Sequence, residues 1–174
     1  IYLAEHFEQR QLPVPHILAQ SDDGLRYLQT DLGSTSLFDA IRGGREAGGR
    51  YNQREKQLLK ATIRQLPNIQ IRGARGLDWQ NCYRDFQARN VMLDADGNPQ
   101  FIDFQGGRRG PYYYDLASFL WQASARYSDK LRRELVAEYY DALKQYTEVP
   151  SLRHFVNRLS LFVLFRTLQV LGAY

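Results

Sequence analysis

"YRDFQARNVMLDADGNPQFIDF", Tyr83 to Phe104, carries the reading of this chain. It opens with Asp85 and Asn90 five positions apart, among two arginines and two aromatics. Two short apolar runs, "NVML" and "QFIDF", then flank "DADGNP", whose Asp-Gly pair marks a tight turn between antiparallel strands. Asn90 enters the first strand of this predicted hairpin and Asp103 leaves the second. The open ends of such a hairpin lie about 5 Å apart, so two oxygen donors converge there. Asp85 sits in the loop that feeds the same end. Hard oxygen donors without His or Cys suit Mg²⁺, which keeps waters and takes one or two protein groups beside phosphate oxygens. Asp85 is then left to orient a hydroxyl and accept its proton.

"DADGN" also has the look of a calcium loop. Such a loop needs a bidentate Glu at its twelfth position, and counting from Asp94 that position is Gln105. Asp94, Asp96 and Asn98 are therefore read as turn residues.

On the N-terminal side, "YLAEHFEQRQL" reads as a helix stopped by "PVP". "PHILAQ" and "LRYLQT" read as strands of a first hairpin around "SDDG". "DLGSTSLFDAI" enters a helix with Ser34 or Ser36 as N-cap, and "GGREAGG" reads as a flexible connector. A helix over about 52–66 sets Leu58, Leu59, Ile63 and Leu66 on one face. Residues 67–82 lack helical period and read as loop or irregular strand. After the second hairpin, helices are expected over about 112–126, 129–146 and 151–172. The middle one turns Leu131, Leu135, Val136, Tyr139 and Leu143 inward, and the last reads as a buried amphipathic helix. Strands early and helices late give an α+β chain dominated by helix.

At 174 residues and 44% apolar content the chain fits one domain with a real core. Cys82 is the single cysteine, which excludes a disulfide framework; with no His beside it, a bystander role is preferred over a nucleophile. No secretory signal is visible in "IYLAEHFEQRQ", and arginines interrupt the most apolar stretch, so no membrane span is expected and a cytoplasmic setting is favoured. The cations are 19 Arg against 4 Lys for a net charge of +4, but they are scattered among acids. A nucleic-acid binder would cluster them in a stripe with aromatics, so no nucleic-acid partner is expected.

"YRDFQARN" followed by "FIDF" resembles the protein-kinase pattern H-R-D-x-x-x-x-N and D-F-G. "GPYYYDLASFL" resembles the helix start that follows this loop in the aminoglycoside phosphotransferase and choline-kinase-like superfamily. The whole run over 83–121 is similar to the bacterial anomeric sugar kinases acting on N-acetylmuramate and N-acetylglucosamine. "LPVPHILA", "YLQTDLG" and "RTLQVLGAY" extend the likeness more weakly. The resemblance implies a protein-kinase-like fold, with residues 1–33 as a remnant of the small lobe and hinge and 34–174 as the large catalytic lobe. It implies ATP and Mg²⁺, with a small hydroxyl-bearing acceptor, a sugar or amino sugar. Asp85 would be the catalytic base, and Asn90 and Asp103 the metal ligands. Gln29, Thr30, Asp31 and Leu32 would lie along the adenine-binding hinge strand. Arg84 and Asp115 would support the catalytic loop, Asp115 doubling as a helix N-cap. Arg108 and Arg109 either face an anionic or hydroxylated substrate or lie on a solvated loop.

Several departures accompany the likeness. Tyr83 and Gln87 stand where relatives carry His. There is no glycine-rich phosphate loop and no lysine-bearing strand, which implies that the natural protein continues upstream. "GLDWQNC" runs straight into "YRDF", which raises the expectation of a missing segment near Cys82 and Tyr83. The alternative is a catalytically inactive kinase-like domain that binds a nucleotide or a partner.

Overall fold

A computed structural model describes residues 1–77, 86–103 and 110–172 of the chain. Its centre is the second hairpin. Strand β3 (Val91–Leu93) pairs antiparallel with β4 (Pro99–Phe101), aligning Val91 with Phe101 and Leu93 with Pro99. A pair of three-residue strands is marginal alone. Both outer edges are therefore occupied: the Leu93 amide donates to the Thr35 carbonyl (3.0 Å), and the Phe101 amide donates to the Pro13 carbonyl (2.7 Å). The turn between the strands is held by Asp94, whose Oδ1 accepts from the amides of Asp96 (3.0 Å) and Asn98 (2.8 Å). Those bonds, led by the one from Asn98, hold the Asp94 carboxyl below its ordinary range. These are turn residues, as the sequence predicted.

The first hairpin, β1 (Ile17–Gln20) and β2 (Tyr27–Gln29), forms a separate two-stranded sheet with a register shift between Ile17 and Ala19. It follows α1 (Tyr2–Glu8). The expected strand "LRYLQT" is shorter than read: it ends at Gln29, although the Thr30 amide still donates to the His16 carbonyl (2.9 Å).

Helix α2 (Leu37–Ala40) starts at Ser36, whose hydroxyl accepts from the Asp39 amide, 3.1 Å. The expected flexible connector is instead largely helical: α3 covers Arg42–Glu46. Gly44 explains why, because its amide donates to buried Glu55 Oε1 (2.8 Å) and its missing Cβ leaves room for the Tyr51 ring. Glu55 also completes a capping box with Asn52 at the start of α4 (Gln53–Pro67).

Helix α4 buries Leu59, Ile63 and Leu66 against α6 (Asp129–Leu143), which returns Leu131, Leu135, Val136, Tyr139 and Leu143 to the same core. Past Pro67 the chain does not become loop, as expected, but winds on as a π-helical turn, Asn68–Arg72. Proline has no N–H to give to the preceding turn, and the ladder reopens in a wider register, with the Gly73 amide donating to the Asn68 carbonyl (3.1 Å). Helix α5 (Tyr113–Leu120) is shorter than the expected 112–126; it breaks at Trp121 before a 3₁₀ turn at Ala123–Ala125.

Helix α7 (Leu152–Leu171) corrects the expectation of a buried amphipathic helix. Only Phe155 and Leu159 are buried, while Leu161, Leu164, Phe165, Leu168 and Leu171 are exposed. Helix α7 has 20 residues, about 30 Å at 1.5 Å per residue, and eight-residue α5 covers a single stripe of it, where Tyr113 meets Phe155 and Phe162. Among the described residues no helix is long and apolar enough to cross a membrane.

Two stability predictions follow from this packing. Gly49 has φ +93°, and a Cβ there would stand 2.1 Å from the Arg126 carbonyl oxygen. Gly49→Ala is expected to cost about 2 kcal/mol or more, read as a lower urea midpoint at unchanged slope. Buried His6 donates from Nε2 to the Gly73 carbonyl (2.9 Å), and burial, reinforced by nearby Arg10, lowers its pKa from 6.5. The unfolded chain then takes up a proton at His6 that the folded chain resists, so stability should fall as pH drops below about 6.5. Unfolding curves from pH 7.5 to 5 should show a weaker decline in His6→Gln.

Candidate active site

The end of the β3–β4 hairpin opposite its turn brings two of the sequence-derived candidates together. Asn90 closes a 3₁₀ turn (Ala88–Asn90) immediately before β3. Across from it, the Ile102 amide donates to the Asn90 carbonyl (3.0 Å), extending the ladder one step beyond the named strands. Asn90 and Ile102 are thus directly opposed, and Asp103 is the next residue. In a regular strand successive side chains alternate, so Asp103 would be committed to the face opposite Asn90. It leaves the pleat instead: Asp103 is exposed and adopts φ +55°, one of three non-glycine residues among those described with positive φ. Asp tolerates the left-handed region better than most residues, and such conformations concentrate at functional sites.

Behind this end lies a buried polar group. Asp115 is in the first turn of α5 and 7% exposed. It is not the N-cap, as the sequence allowed; Tyr112 holds that position without a capping side chain, and Asp115 lies three residues on. Its Oδ2 accepts from Gln70 Nε2 (2.7 Å), which also donates to the Tyr112 carbonyl (3.2 Å). The Tyr139 hydroxyl donates to Gln70 Oε1 at 2.5 Å. Gln70, Asn90 and Asp115 line one small cavity of about 40 Å³, with Phe86 and Phe101 among its apolar walls. Sequence reading missed Gln70 and the polar use of Tyr139. The available signal was a carboxamide between Ile69 and Ile71, a polar residue inside an apolar pair.

The four hinge candidates divide. Gln29 pairs with Ile17, and Thr30 bonds His16 in both directions, its Oγ1 accepting from the His16 amide at 3.0 Å. Asp31 Oδ1 accepts from the Gly33 amide (2.9 Å), turning the chain toward Thr35 and β3. Asp31 and Leu32 line an open cleft of about 780 Å³ with Leu93 and the Asp94–Gly97 turn, and Gln29 and Thr30 do not. Neither Asn90 nor Asp103 lines that cleft. Asp85, Arg84, Arg108, Arg109 and Cys82 lie outside the described residues, as does the expected break between Cys82 and Tyr83.

Among the described residues no group of three or more His, Cys, Asp or Glu stands together to hold a metal. One carboxylate and one carboxamide at a hairpin end remain a donor set that fits Mg²⁺, a hard ion that keeps its waters and shares phosphate oxygens.

The sequence pattern of the phosphotransferase enzyme family, known as APH, matches residues 3–151. The chain belongs to that family, and its helix-dominated α+β architecture is part of a protein-kinase-like fold. It is also similar to the N-acetylmuramate/N-acetylglucosamine kinase of Neisseria meningitidis serogroup B (strain ATCC BAA-335 / MC58), at 28% identity over 120 residues. That match covers 65% of this chain and 32% of the relative, so the chain spans about a third of the curated protein it matches.

The backbone at Asp103 is testable apart from any activity. Because the residue is exposed, Asp103→Asn, which also tolerates positive φ, should leave stability within about 0.5 kcal/mol of wild type. Asp103→Val should lose about 1–2 kcal/mol to backbone strain alone. Equal urea midpoints for the two variants would contradict a strained left-handed Asp103.

Proposed function

We propose that this chain carries the catalytic half of an ATP-dependent small-molecule kinase. The observation that supports the reading is the hairpin end, where the Ile102 amide bonds the Asn90 carbonyl and the next residue, Asp103, leaves the strand pleat. Family membership supports phosphoryl transfer. The similarity to a kinase named for N-acetylmuramate and N-acetylglucosamine supports a sugar or amino sugar as acceptor. The same reading sets the reaction in the cytoplasm.

In this reading Asn90 and Asp103 would hold Mg²⁺. The ion, when bound, neutralises charge that develops on the transferring phosphoryl group. Asp85 orients the acceptor hydroxyl and takes its proton. The hydroxyl oxygen bonds to the γ-phosphorus as the bond from that phosphorus to the bridging oxygen breaks, and ADP leaves. Asp115 supports the loop that carries Asp85 and Asn90. Asp31 and Leu32, which line the open cleft, would lie along the nucleotide side with Gln29 and Thr30 leading into them, and Arg108 and Arg109 would serve the acceptor side. Arg84 supports the loop structurally.

The test is Mg-dependent turnover of N-acetylmuramate and N-acetylglucosamine with ATP, read as ADP release and as phosphosugar by mass spectrometry. Asp103→Asn should abolish turnover. Asp85→Asn should keep ATP binding and slow turnover by about two orders of magnitude or more, since base and positioning functions fail together. Unchanged turnover in Asp85→Asn overturns the mechanism. ATP binding without turnover in wild type would instead favour an inactive nucleotide-binding domain.

A further inference from the structure

The mechanism above uses Asp115 but not the residues that hold it. Gln70 is 4% exposed and Tyr139 is fully buried, so their polar groups have to satisfy each other. Tyr139 donates to the Gln70 carboxamide oxygen, 2.5 Å. That bond determines which way the carboxamide faces, because its oxygen is committed to α6. The amide nitrogen is thereby turned to Asp115 Oδ2 (2.7 Å) and the Tyr112 carbonyl (3.2 Å), using both of its protons. Gln70 reaches this place through the π-helical turn. The wide-register bond from the Gly73 amide to the Asn68 carbonyl closes the turn around it. Gln70, Asp115 and Asn90 line the same small cavity, so this network faces the segment that enters β3.

We propose that Gln70 is a positioning residue for the hairpin end: anchored by Tyr139, its amide fixes the Asp115 carboxylate against the segment that carries Asn90. The inference rests on the kinase reading for its effect on turnover, but not for its effect on local order. A neutral amide suits this place, since it gives the carboxylate a donor without a second buried charge.

Hydrogen exchange followed by mass spectrometry on the full chain separates the two questions. In Gln70→Met, which keeps length and removes the hydrogen bonds, peptides spanning 86–91 should exchange about tenfold faster, while α4 and α6 peptides keep their protection. Tyr139→Phe should shift the same peptides in the same direction by less. In turnover, Gln70→Met should lower kcat about tenfold or more with the acceptor KM unchanged, and should have no further effect on kcat in an Asp115→Asn background. Unchanged exchange at 86–91, or uniform acceleration across the chain in both variants, overturns the proposal, the latter by making Gln70 a stabiliser of the fold alone. Absence of turnover in wild type would count against the kinase reading and leave the exchange result to decide the role of Gln70.

Discussion

The hydrogen bond from the Ile102 amide to the Asn90 carbonyl is the closure on which the rest depends. It ties together the residues that enter and leave the β3–β4 hairpin. A hairpin this short cannot hold its own ends, and here each outer edge is bonded to a segment from the N-terminal third, Thr35 on one side and Pro13 on the other. The hairpin is thus the middle of a small bonded array rather than a free ribbon. Its register is protected because Val91 and Phe101 both face the core, and a one-residue slip would expose them.

Behind that array the core has two characters. Between α4 and α6 it is apolar, built from fully buried Leu59, Ile63, Leu135 and Leu143. Between the π-helical turn, α5 and α6 it is polar and specific, with Tyr139, Gln70 and Asp115 joined in one chain of donors and acceptors. Leaving one such buried partner unsatisfied costs about 1–3 kcal/mol, on the scale of truncating a buried leucine in the first region, so both regions are constrained, one by shape and the other by donor and acceptor geometry. The aromatic side chains join the two: Phe86 lies between Phe101 of β4 and Phe119 of α5, at ring separations of 5.9 and 5.0 Å.

Much of this was legible in the chain itself. The Asp-Gly turn and its flanking apolar runs located the hairpin, and the fates of Asp94, Asp96 and Asn98 followed from turn chemistry. The inward face of α6 was readable because its period is regular over four turns. The errors have physical causes. "GGREAGG" was read from glycine content, whereas buried Glu55 and the Tyr51 ring make use of Gly44 within a short helix. Residues 68–72 lack an α-helical period because their ladder is a π turn. Helix α7 was read as buried because it is apolar, but burial needs a neighbour as long as itself, and α5 is not.

Sequence alone determined the chemistry on offer: which carboxylates and carboxamides stand near the hairpin, their spacing, and the family to which that order belongs. Local rules suffice for this, because turn formation and strand alternation act over a few residues. Tertiary structure decided how those groups are aimed. Alternation would have turned Asp103 away from Asn90, and the left-handed backbone at Asp103 departs from that alternation. Nothing in the spacing of Gln70, Asp115 and Tyr139, at 45 and 69 residues from Gln70, announces a shared bond. A buried polar group must find its partner wherever packing brings one, and that is a property of the folded chain.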